Sequence, residues 1–593
     1  MLRLLPFREI WAVDFEFGGE DGCRPVPRCL VARELKSRRT IRVWEDELLH
    51  MPKPPYPTDA GVLFVAYYAS AEITCHLALG WPVPERIFDL FTEWRVVTNG
   101  LDIRIAGQRV GNSLLGAMAG FELDTILAAE KKEMRDLARR GGPWTTAEIK
   151  ALLNYCEGDV DSLARLIREM LPLLWLRPLG LAHALIRGRA MAALAYVEHL
   201  GLPIDVPLLH RLRTHWGDII DQLITEVDRP FGFYDGRSFR MLRFAKWLAE
   251  KGRHWPTLKS GQLDLEHDTF RDMAKVYPDL MPVHELRATL SEMRLEKLFV
   301  GDDGRNRVML SAFQSVTGRN QPSNNKFIFG PATWLRGLIK PPPEHAFVYI
   351  DWSSQEIGIG AALSEDENMK ADYASGDFYL GFAHRVGITP ASLRVPTIEK
   401  MRDLIKVMCL GIGYGMGKRA LAAWLGMTAD RAGELIDLFW RTYSTFRDWV
   451  TGAVNHAMLR NTITTVFGWP MHIEGRYNPL VVGSRPNPRT IRNFPCQGNG
   501  AEMLRLALIF GMELGIRVVA PVHDAIAIEV PIRILNEHIA AMQSAMLRAS
   551  RVVLDGFELR TKPNIVCYPD RYADSRGAVM WEKTMSLLPE EGA

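Results

Sequence analysis

The sequence predicts a multidomain protein of mixed α/β and α+β class. Over about the first 170 residues, short apolar strands alternate with helical segments, which is an α/β pattern. The C-terminal half combines a helix-rich stretch with a hairpin pattern. The length of 593 residues leaves room for roughly three to five domain-sized units with ample core.

The N-terminal alternation begins with an apolar strand at 10–13 and continues with a second strand at 61–68. A long helix is predicted over Thr146–Leu174. A boundary signal at Gly201-Leu202-Pro203-Ile204-Asp205 follows, and the segment 206–300 is then mostly helical and charged.

In the C-terminal half, an apolar strand over 346–350 runs into Asp351, and the stretch 357–460 is rich in helices. A second apolar strand, 518–522, is followed by His523-Asp524 and then by alternating apolar residues, which predicts a hairpin around Asp524. Two aspartates therefore each follow an apolar strand.

The composition describes an ordinary globular protein, with 47% hydrophobic and 24% charged residues. The formal net charge of +2 means that a DNA-binding role would need basic residues concentrated in grooves and offset by acids elsewhere. Seven cysteines without paired spacing predict neither a zinc site nor disulfides, and they favour a reducing, intracellular setting. No signal peptide and no run of about 18 apolar residues is seen, so we expect no membrane partner.

The most informative pattern places Arg402, Lys406, Leu410 and Tyr414 four residues apart, hence along one stripe of a helix. The two cations can hold a polyphosphate, and the apolar and aromatic side chains can meet a base. With Asp351 and Asp524 on either side, the pattern predicts a two-metal site for a nucleoside triphosphate. Taken singly, basic residues at this spacing usually form a solvated face, and an aspartate after a strand usually belongs to a turn.

A second acidic site is predicted near the N-terminus. Asp14 and Glu16 alternate along a strand with apolar neighbours, which favours an inward pair that a divalent cation neutralises. Tyr155 and Asp159 lie four apart on the long helix, so the hydroxyl can orient a water while the carboxylate joins the metal. Glu72, followed seventeen residues later by Asp89, adds a third acidic element.

This acidic set resembles the three motifs of the DnaQ-like 3′–5′ exonucleases, which implies an RNase H-like exonuclease domain. Asp14 and Glu16 match the first motif, and Tyr155 and Asp159 match the third. Glu72 stands where the family normally has aspartate, so the resemblance implies a metal site with displaced geometry. Asp14, Glu16 and Asp159 are the implied metal ligands, with Glu72 and Tyr155 as further catalytic residues.

The remaining motifs resemble those of family A DNA polymerases, of the large-fragment type of DNA polymerase I. The resemblance rests on Asp351-Trp352-Ser353-Ser354-Gln355-Glu356, on the stripe from Arg402 to Tyr414, on Val522-His523-Asp524, on Thr317-Gly318-Arg319 and on the segment 489–498. The implied catalytic and metal-binding groups are Asp351, Asp524 and the carbonyl of Trp352; the implied dNTP-binding residues are Arg402, Lys406, Leu410, Tyr414 and Glu356; the implied DNA-binding residues are Arg319, Arg489, Asn493, Gln497 and His523.

The resemblance implies an exonuclease domain over 1–175, followed by a right-hand polymerase over 176–593. Within the latter it implies a thumb at about 206–300, a palm at about 301–356 and 495–593, and fingers at about 357–494. It further implies two Mg²⁺ ions per active site, with Mn²⁺ as a substitute, and primer-template DNA and dNTPs as substrates. We expect a monomer in the cytoplasm. If the protein is a phage replicase, this is the host cytoplasm, and phage replication proteins are further expected partners. No 5′-nuclease domain is expected ahead of Asp14.

Three positions depart from the family pattern: Leu410 replaces an aromatic residue, Ala525 replaces an acid, and Gly358 stands where arginine is common. We therefore expect altered nucleotide handling, and glycines from Gly411 to Gly417 are expected to interrupt the motif helix. A repair or translesion polymerase with a weak exonuclease and a DnaQ-like nuclease alone are the alternatives. A non-catalytic DNA-binding scaffold is disfavoured because carboxylates in a DNA groove repel phosphates.

Overall fold

The computed structural model describes residues 1–124, 128–258, 260–292, 295–330, 332–473 and 488–589, and the predicted exonuclease, thumb, palm and fingers segments each include residues outside these ranges. The strands are β1 (Glu9–Gly18), β2 (Val26–Glu34), β3 (Thr40–Trp44), β4 (Val62–Ala66), β5 (Ile87–Asp89), β6 (Arg104–Ile105), β7 (Gln108–Arg109), β8 (Leu202–Pro203), β9 (Tyr234–Asp235), β10 (Ser238–Phe239), β11 (Arg305–Asn306), β12 (His345–Trp352), β13 (Thr462–Thr464), β14 (Pro470–His472), β15 (Val518–Val522), β16 (Ala525–Pro531) and β17 (Thr561–Cys567).

The helices are α1 (Glu45–Leu48), α2 (Ser70–Ala78), α3 (Leu90–Thr98), α4 (Leu114–Gly120), α5 (Ala128–Arg140), α6 (Thr146–Trp175), α7 (Gly180–Leu200), α8 (Val206–Asp228), α9 (Met241–Glu250), α10 (His267–Val276), α11 (Met281–Glu292), α12 (Gln355–Ser364), α13 (Glu367–Ala374), α14 (Phe378–Val386), α15 (Ile398–Gly413), α16 (Lys418–Leu425), α17 (Ala429–Thr442), α18 (Ser444–Arg460), α19 (Pro488–Glu513), α20 (Leu535–Val553) and α21 (Ala578–Leu587). Within the described ranges, none of them combines the length and the apolarity needed to cross a bilayer.

A five-stranded sheet in the order β3-β2-β1-β4-β5 organises the N-terminal region. β1 lies at its centre, antiparallel to β2 and parallel to β4. Ile10 and Ala12 are fully buried on one face of β1, in a core shared with apolar residues of α6. Because side chains alternate along a strand, Asp14 and Glu16 share this strand face, as the sequence predicted.

Helix α6 packs against this sheet and carries the third predicted motif. Its start is fixed by a capping box in which Thr145 and Glu148 each bind the other's backbone N–H. Cys156 Sγ donates to the carbonyl of Asp14 at 3.2 Å, which ties the middle of α6 to β1. The predicted helix is therefore confirmed, and the Cys156 contact holds α6 against β1 next to the acidic residues.

A four-stranded sheet in the order β15-β16-β12-β17 organises the C-terminal half. β15 and β16 form the predicted hairpin, in which Val522 pairs with Ala525 across a tight turn. His523 in that turn adopts a left-handed backbone conformation (φ 56°), which suits a short hairpin connection. Asp351 is the penultimate residue of β12, so both predicted aspartates lie at strand ends.

Helix α15 carries the stripe from Arg402 to Leu410, with Tyr414 directly after its last residue. Its opposite face is buried through apolar residues such as Ile405 and Met408. The expectation that Gly411 interrupts this helix is wrong, because packing of the buried face outweighs a propensity cost of about 1 kcal/mol per glycine. The helix ends at Gly413, and Gly415 follows with φ 81°.

The chain divides into two compact units. The first comprises Met1–Gly201, Leu310–Gln321 and Val348–Asn564, and it contains all the predicted site residues. The second comprises Leu202–Met309, Pro322–Phe347 and Ile565–Ala593. Within the second unit, α8 to α11 confirm the predicted helical stretch, and their core is aromatic: the rings of Phe233, Phe244, Trp255 and Phe270 are buried and stack edge to face.

Two candidate active sites

Three of the predicted acids converge at the end of β1. The carboxylates of Asp14, Glu16 and Asp159 offer oxygen atoms that all lie within 4.8 Å of one another. Two come from the same face of β1, and the third comes from α6, which Cys156 holds against that strand. Three carboxylates at this separation are a donor set that a divalent cation with oxygen ligands can satisfy.

The electrostatics of this cluster are those of a site that needs a cation. Burial raises the pKa of Asp14 to about 8, and repulsion by Asp159 adds to the rise. Burial, followed by Asp14, also raises the pKa of Glu16 well above its usual range. Asp14 Oδ2 is buried and has no hydrogen-bond partner in the part of the chain that the structure describes. Buried unpaired acceptors are costly unless something binds them, so the residues fit a metal.

Glu72 lies beside this cluster, although it is outside the set of three converging oxygens. It sits in the first turn of α2 and is 5% exposed. Its Oε2 is buried and accepts no hydrogen bond from the described residues. Burial, and then the charge of Asp14, raise the pKa of Glu72 well above its usual range. A second buried, unpartnered carboxylate near Asp14 is an observation independent of the cluster itself.

Two further residues of the predicted exonuclease motifs have different roles in the fold. Tyr155 is 6% exposed one turn before Asp159, and burial together with this carboxylate raises the pKa of its hydroxyl. Asp89 is instead a helix cap, because its carboxylate accepts from the backbone N–H groups of Thr92 and Ala69 at 2.7 and 2.6 Å. Both of its oxygens are thereby used structurally.

Sequence reasoning missed one residue of this site, Lys131 on α5. Its Nζ lies 3.6 Å from Asp159 Oδ2, and its charge lowers the pKa of Asp14, of Glu16 and of Asp159 against the effect of burial. Lys131 lies within the run Glu130-Lys131-Lys132-Glu133, which has the composition of a solvated helix face. Its spacing relative to the acidic motifs does not distinguish Lys131 from the charged residues next to it.

The second site forms where the end of β12 meets the β15–β16 turn. The N–H of Trp352 donates to the carbonyl of Asp524 at 3.3 Å, which places Asp351 beside Asp524. Burial and then the charge of Asp524 raise the pKa of Asp351 to about 7, while Lys406 opposes the rise. Asp351 Oδ1 is buried and unpartnered among the described residues. This pair of carboxylates also fits a cation, whereas the Trp352 carbonyl as a ligand stays a prediction.

Glu356 connects three of the predicted polymerase motifs. It lies in the first turn of α12, directly after β12. Arg319 Nη2 donates to its Oε1 at 3.0 Å, and the Tyr414 hydroxyl donates to its Oε2. Arg319 is itself held in a tight loop, in which its N–H donates to Ser315 Oγ at 2.7 Å. The sequence-predicted residues Arg319, Glu356 and Tyr414 are thus brought into direct contact.

The two cations of α15 have different surroundings. Arg402 donates through Nε to Asp377 Oδ2 at 2.5 Å, and its guanidinium lies 5.4 Å from the ring centroid of Tyr379. Lys406 is exposed and acts electrostatically on Asp351. Asp377 and Tyr379, which hold Arg402, were not predicted because no motif spacing connects them to α15.

The predicted DNA-binding residues of α19 recur at four-residue spacing, from Arg489 through Asn493 to Gln497. Arg489 Cγ lies 3.4 Å from the position that a Cβ on Gly415 would occupy, so this end of α19 passes close to the loop after α15. The Gln497 side chain lies near the Tyr414 hydroxyl and lowers the pKa of that hydroxyl against the effect of burial. Asn493 lines an apolar cavity together with Leu410. His523 precedes Asp524 in the hairpin turn.

Comparison with known proteins bears on the second site. The family described as DNA polymerase family A matches residues 314–562. This segment, less than half of the chain, matches a family A DNA polymerase domain. It contains Asp351, Asp524, the α15 stripe and the α19 residues, so the coarser prediction of a polymerase domain of the family A type with a mixed α/β fold is confirmed. The exonuclease domain and the individual residue roles stay predictions.

The relatives of the polymerase domain include DNA polymerase I proteins. The chain is 24% identical over 472 residues to the thermostable DNA polymerase I of Thermus caldophilus, which covers 76% of this chain and 55% of that protein. For DNA polymerase I of Chloroflexus aurantiacus the identity is 23% over 360 residues, covering 56% of this chain and 38% of that protein. The chain thus matches about half or less of the length of these relatives.

A solved structure shares the fold. The POL domain of Pol1 from M. smegmatis, in complex with DNA primer-template and dNTP, superposes with a TM-score of 0.69 and 17% sequence identity. The superposition covers 94% of each chain. At this identity the likeness concerns the fold.

Proposed function

We propose that this chain is a template-directed DNA polymerase that also has a 3′–5′ exonuclease site. The observation that carries the first part is the convergence, inside a family A polymerase domain, of Asp351 and Asp524 with the cationic helix α15. The substrates are a primer-template and dNTPs. A replicative role of the phage kind, as the sequence resemblance implied, suits a chain that combines synthesis with removal of mismatched ends.

In the polymerase reaction, the 3′-OH of the primer attacks the α-phosphorus of a dNTP, and pyrophosphate leaves. Mg²⁺ held by Asp351 and Asp524 would activate the 3′-OH and neutralise charge on the triphosphate. Lys406 and Arg402 add positive charge where negative charge accumulates on the departing phosphates. Arg402 leaves Asp377 for a phosphate at that stage, because both ligands are anionic oxygens that its guanidinium can bind.

Nucleotide selection is assigned to Glu356 and its partners. Glu356 is held from two sides by Arg319 and Tyr414, so its position is fixed before a nucleotide binds, which supports assigning it to the sugar of the incoming nucleotide. A fixed carboxylate excludes a ribose 2′-OH sterically. Leu410 lines the adjoining cavity together with Tyr414 and Asn493. Truncating the carboxylate should therefore relax sugar selection.

The exonuclease part of the proposal is supported by the carboxylates of Asp14, Glu16 and Asp159 and by the nearby Glu72. Mg²⁺ held by these acids would activate a water molecule for attack on the terminal phosphodiester. The Tyr155 hydroxyl, which lies near Asp159, is assigned the role of orienting that water; its burial and the proximity of this carboxylate support the assignment. Hydrolysis releases a nucleoside 5′-monophosphate and leaves a strand shortened by one residue, with a new 3′-OH.

One primer-template with a 5′ label and a mismatched 3′ end tests both activities in Mg²⁺. Without dNTPs we expect shortening, and with dNTPs we expect trimming followed by full extension. Asp14→Ala should remove trimming and leave extension of a matched primer intact. Asp524→Ala should do the reverse. Absence of extension by the wild-type protein would overturn the polymerase proposal, and extension of the mismatched end without trimming would overturn the exonuclease part.

A further inference from the structure

Helix α5 is anchored to the sheet independently of the acidic site. A Cβ on Gly18, at the end of β1, would lie 2.5 Å from the carbonyl oxygen of Ala138, so only glycine permits this close approach. Arg28 Nε on β2 also donates to the Ala138 carbonyl, at 3.4 Å. Both contacts involve the C-terminal half of α5. Lys131, in its first turn, is therefore not needed to hold the helix in place.

The anchored helix directs Lys131 at the acids. Its ammonium lies 3.6 Å from Asp159 Oδ2, which is longer than a direct N–H···O hydrogen bond. The side chain is 37% exposed, whereas that of Asp159 is 9% exposed. Lys131 thus stands on the solvent side of the cluster, with donors still available.

The charge balance explains why a lysine is useful here. Asp14, Glu16 and Asp159 carry up to three negative charges within 4.8 Å of one another, with Glu72 nearby, and a phosphodiester brings another. Even with two divalent cations present, the four carboxylates leave no net positive charge for the phosphate. A lysine ammonium is a compact charge on a flexible stem that can follow a phosphate oxygen. Its charge acts on all three clustered carboxylates.

We propose that Lys131 is a substrate-binding residue of the acidic site, whose ammonium contacts a non-bridging oxygen of the phosphodiester that is cleaved there. This inference rests on the proposed exonuclease function. In the reaction, water oxygen forms a bond to phosphorus, the bond from phosphorus to the departing O3′ breaks, and a proton from the water ends on that O3′. Negative charge on the phosphoryl oxygens grows during this step, and Lys131 stabilises it.

The test compares Lys131→Met with Lys132→Met, a matched change of the exposed neighbouring lysine. We expect Lys131→Met to slow trimming of a single-stranded oligonucleotide about 100-fold, with matched-primer extension and the melting temperature in Mg²⁺ unchanged. Lys132→Met should trim at the wild-type rate. Equal trimming rates for the two variants would overturn the proposal. Loss of extension or a lowered melting temperature in Lys131→Met would also count against it, because that would indicate a structural role.

A binding measurement gives a readout that does not depend on turnover. The probes are two oligonucleotides, one with a normal terminal phosphodiester and one with an uncharged methylphosphonate there, and Kd is measured in Ca²⁺. For the wild type and for Lys132→Met we expect the methylphosphonate to weaken binding about tenfold. For Lys131→Met we expect no difference between the probes. An equal loss in all three proteins would overturn the assignment.

These measurements separate the two proposals. If neither the wild type nor Lys132→Met trims any substrate, the exonuclease proposal fails, and the methylphosphonate comparison then decides by itself whether Lys131 binds the phosphate. If the wild type trims and Asp14→Ala does not, the exonuclease proposal stands. The comparison of Lys131→Met with Lys132→Met then decides the inference about Lys131.

Discussion

The two acidic sites of this protein solve the same electrostatic problem with different surroundings. In the N-terminal site, the buried Asp159 and the partly buried Asp14 and Glu16 lie between a sheet and a helix, with the more exposed Lys131 beside them. In the C-terminal site, Asp351 and Asp524 face a helix that carries Arg402 and Lys406. With the functions proposed above, the hydrolytic site would handle one phosphodiester at a time, whereas the site for dNTPs would also hold the charge of a triphosphate.

The sites also differ in how their polar groups are paired. The acids Asp14 and Glu72 of the first site and Asp351 of the second each have a buried oxygen without a partner among the described residues. Only around the second pair of acids, however, are neighbouring side chains held by further carboxylates: Glu356 accepts from Arg319 and Tyr414, and Asp377 accepts from Arg402. The first site is preorganised for cations, while part of the second is held by ion pairs that a substrate must exchange. Four predictions test this contrast.

The largest effect is expected for Lys406, the cation whose charge acts on Asp351 in the C-terminal site. Lys406→Met should lower kcat/KM for dNTP incorporation about 100-fold, because a charge opposite the departing phosphates is lost. Trimming should be unchanged. Lys400→Met on the same helix serves as the control, since Lys400 is exposed near its start. Single-nucleotide extension kinetics measure both, and an equal effect of the two variants would mean that Lys406 is only a solvated residue.

A smaller effect is expected in the N-terminal site. Glu72→Gln should slow trimming roughly tenfold to 100-fold, because a buried carboxylate next to Asp14 is replaced by a neutral amide. Extension of a matched primer should be unchanged. Glu72→Asp keeps the charge on a shorter side chain and should restore more than half of the lost rate. If Glu72→Gln trims as fast as the wild type, the buried Glu72 is a structural residue and the site works with three acids.

Sugar selection should change by about tenfold, or about 1.4 kcal/mol. Glu356→Ala removes the carboxylate that Arg319 and Tyr414 hold, so the ratio of kcat/KM for a ribonucleotide to that for the matching deoxynucleotide should rise. Tyr414→Phe keeps Glu356 and its Arg319 pair, and it should raise the ratio by less. A ratio that stays constant in Glu356→Ala would place sugar selection elsewhere, for example at Leu410.

The acids of both sites could be predicted from sequence because their positions follow from local rules. Asp14 and Glu16 share a face by strand alternation, and Asp351 and Asp524 each follow an apolar run. Lys131 and Asp377 could not be predicted in this way. Lys131 lies in an ordinary charged run, and it reaches the cluster only because Gly18 lets α5 approach β1 closely. Tertiary packing, which sequence spacing does not encode, decides such contacts.

The same limit explains two differences at the level of the fold. Gly411 carries a weak helix propensity, yet α15 continues through it because its buried face packs against the rest of the unit. Asp89 has the residue type and the spacing of a site acid, yet its carboxylate caps α3. In both cases a local sequence signal competes with a requirement of tertiary packing or of backbone hydrogen bonding, and that structural requirement decides the outcome.

The smallest effect concerns stability, and it follows from the contrast in pairing. The pKa of Asp14 is about 8 in the folded protein and 3.8 for an isolated side chain. Between these values the folded state binds more protons than the unfolded state, so without metal the stability falls as pH rises from about 4 to about 8.

Asp14→Asn removes this dependence, and the variant should gain in Tm over the wild type as pH rises. In a chain of 150–250 residues, about 2–4 °C in Tm corresponds to roughly 1 kcal/mol, and in this longer chain each kcal/mol should shift Tm by less. Asp136→Asn, an exposed change on α5, is the control. Mg²⁺ should reduce the gain, because the cation stabilises the wild-type carboxylates. Melting curves at pH 5.5 and pH 8, with and without Mg²⁺, measure the effect, and a Tm difference that is independent of pH would show that repulsion among the acids does not destabilise the site.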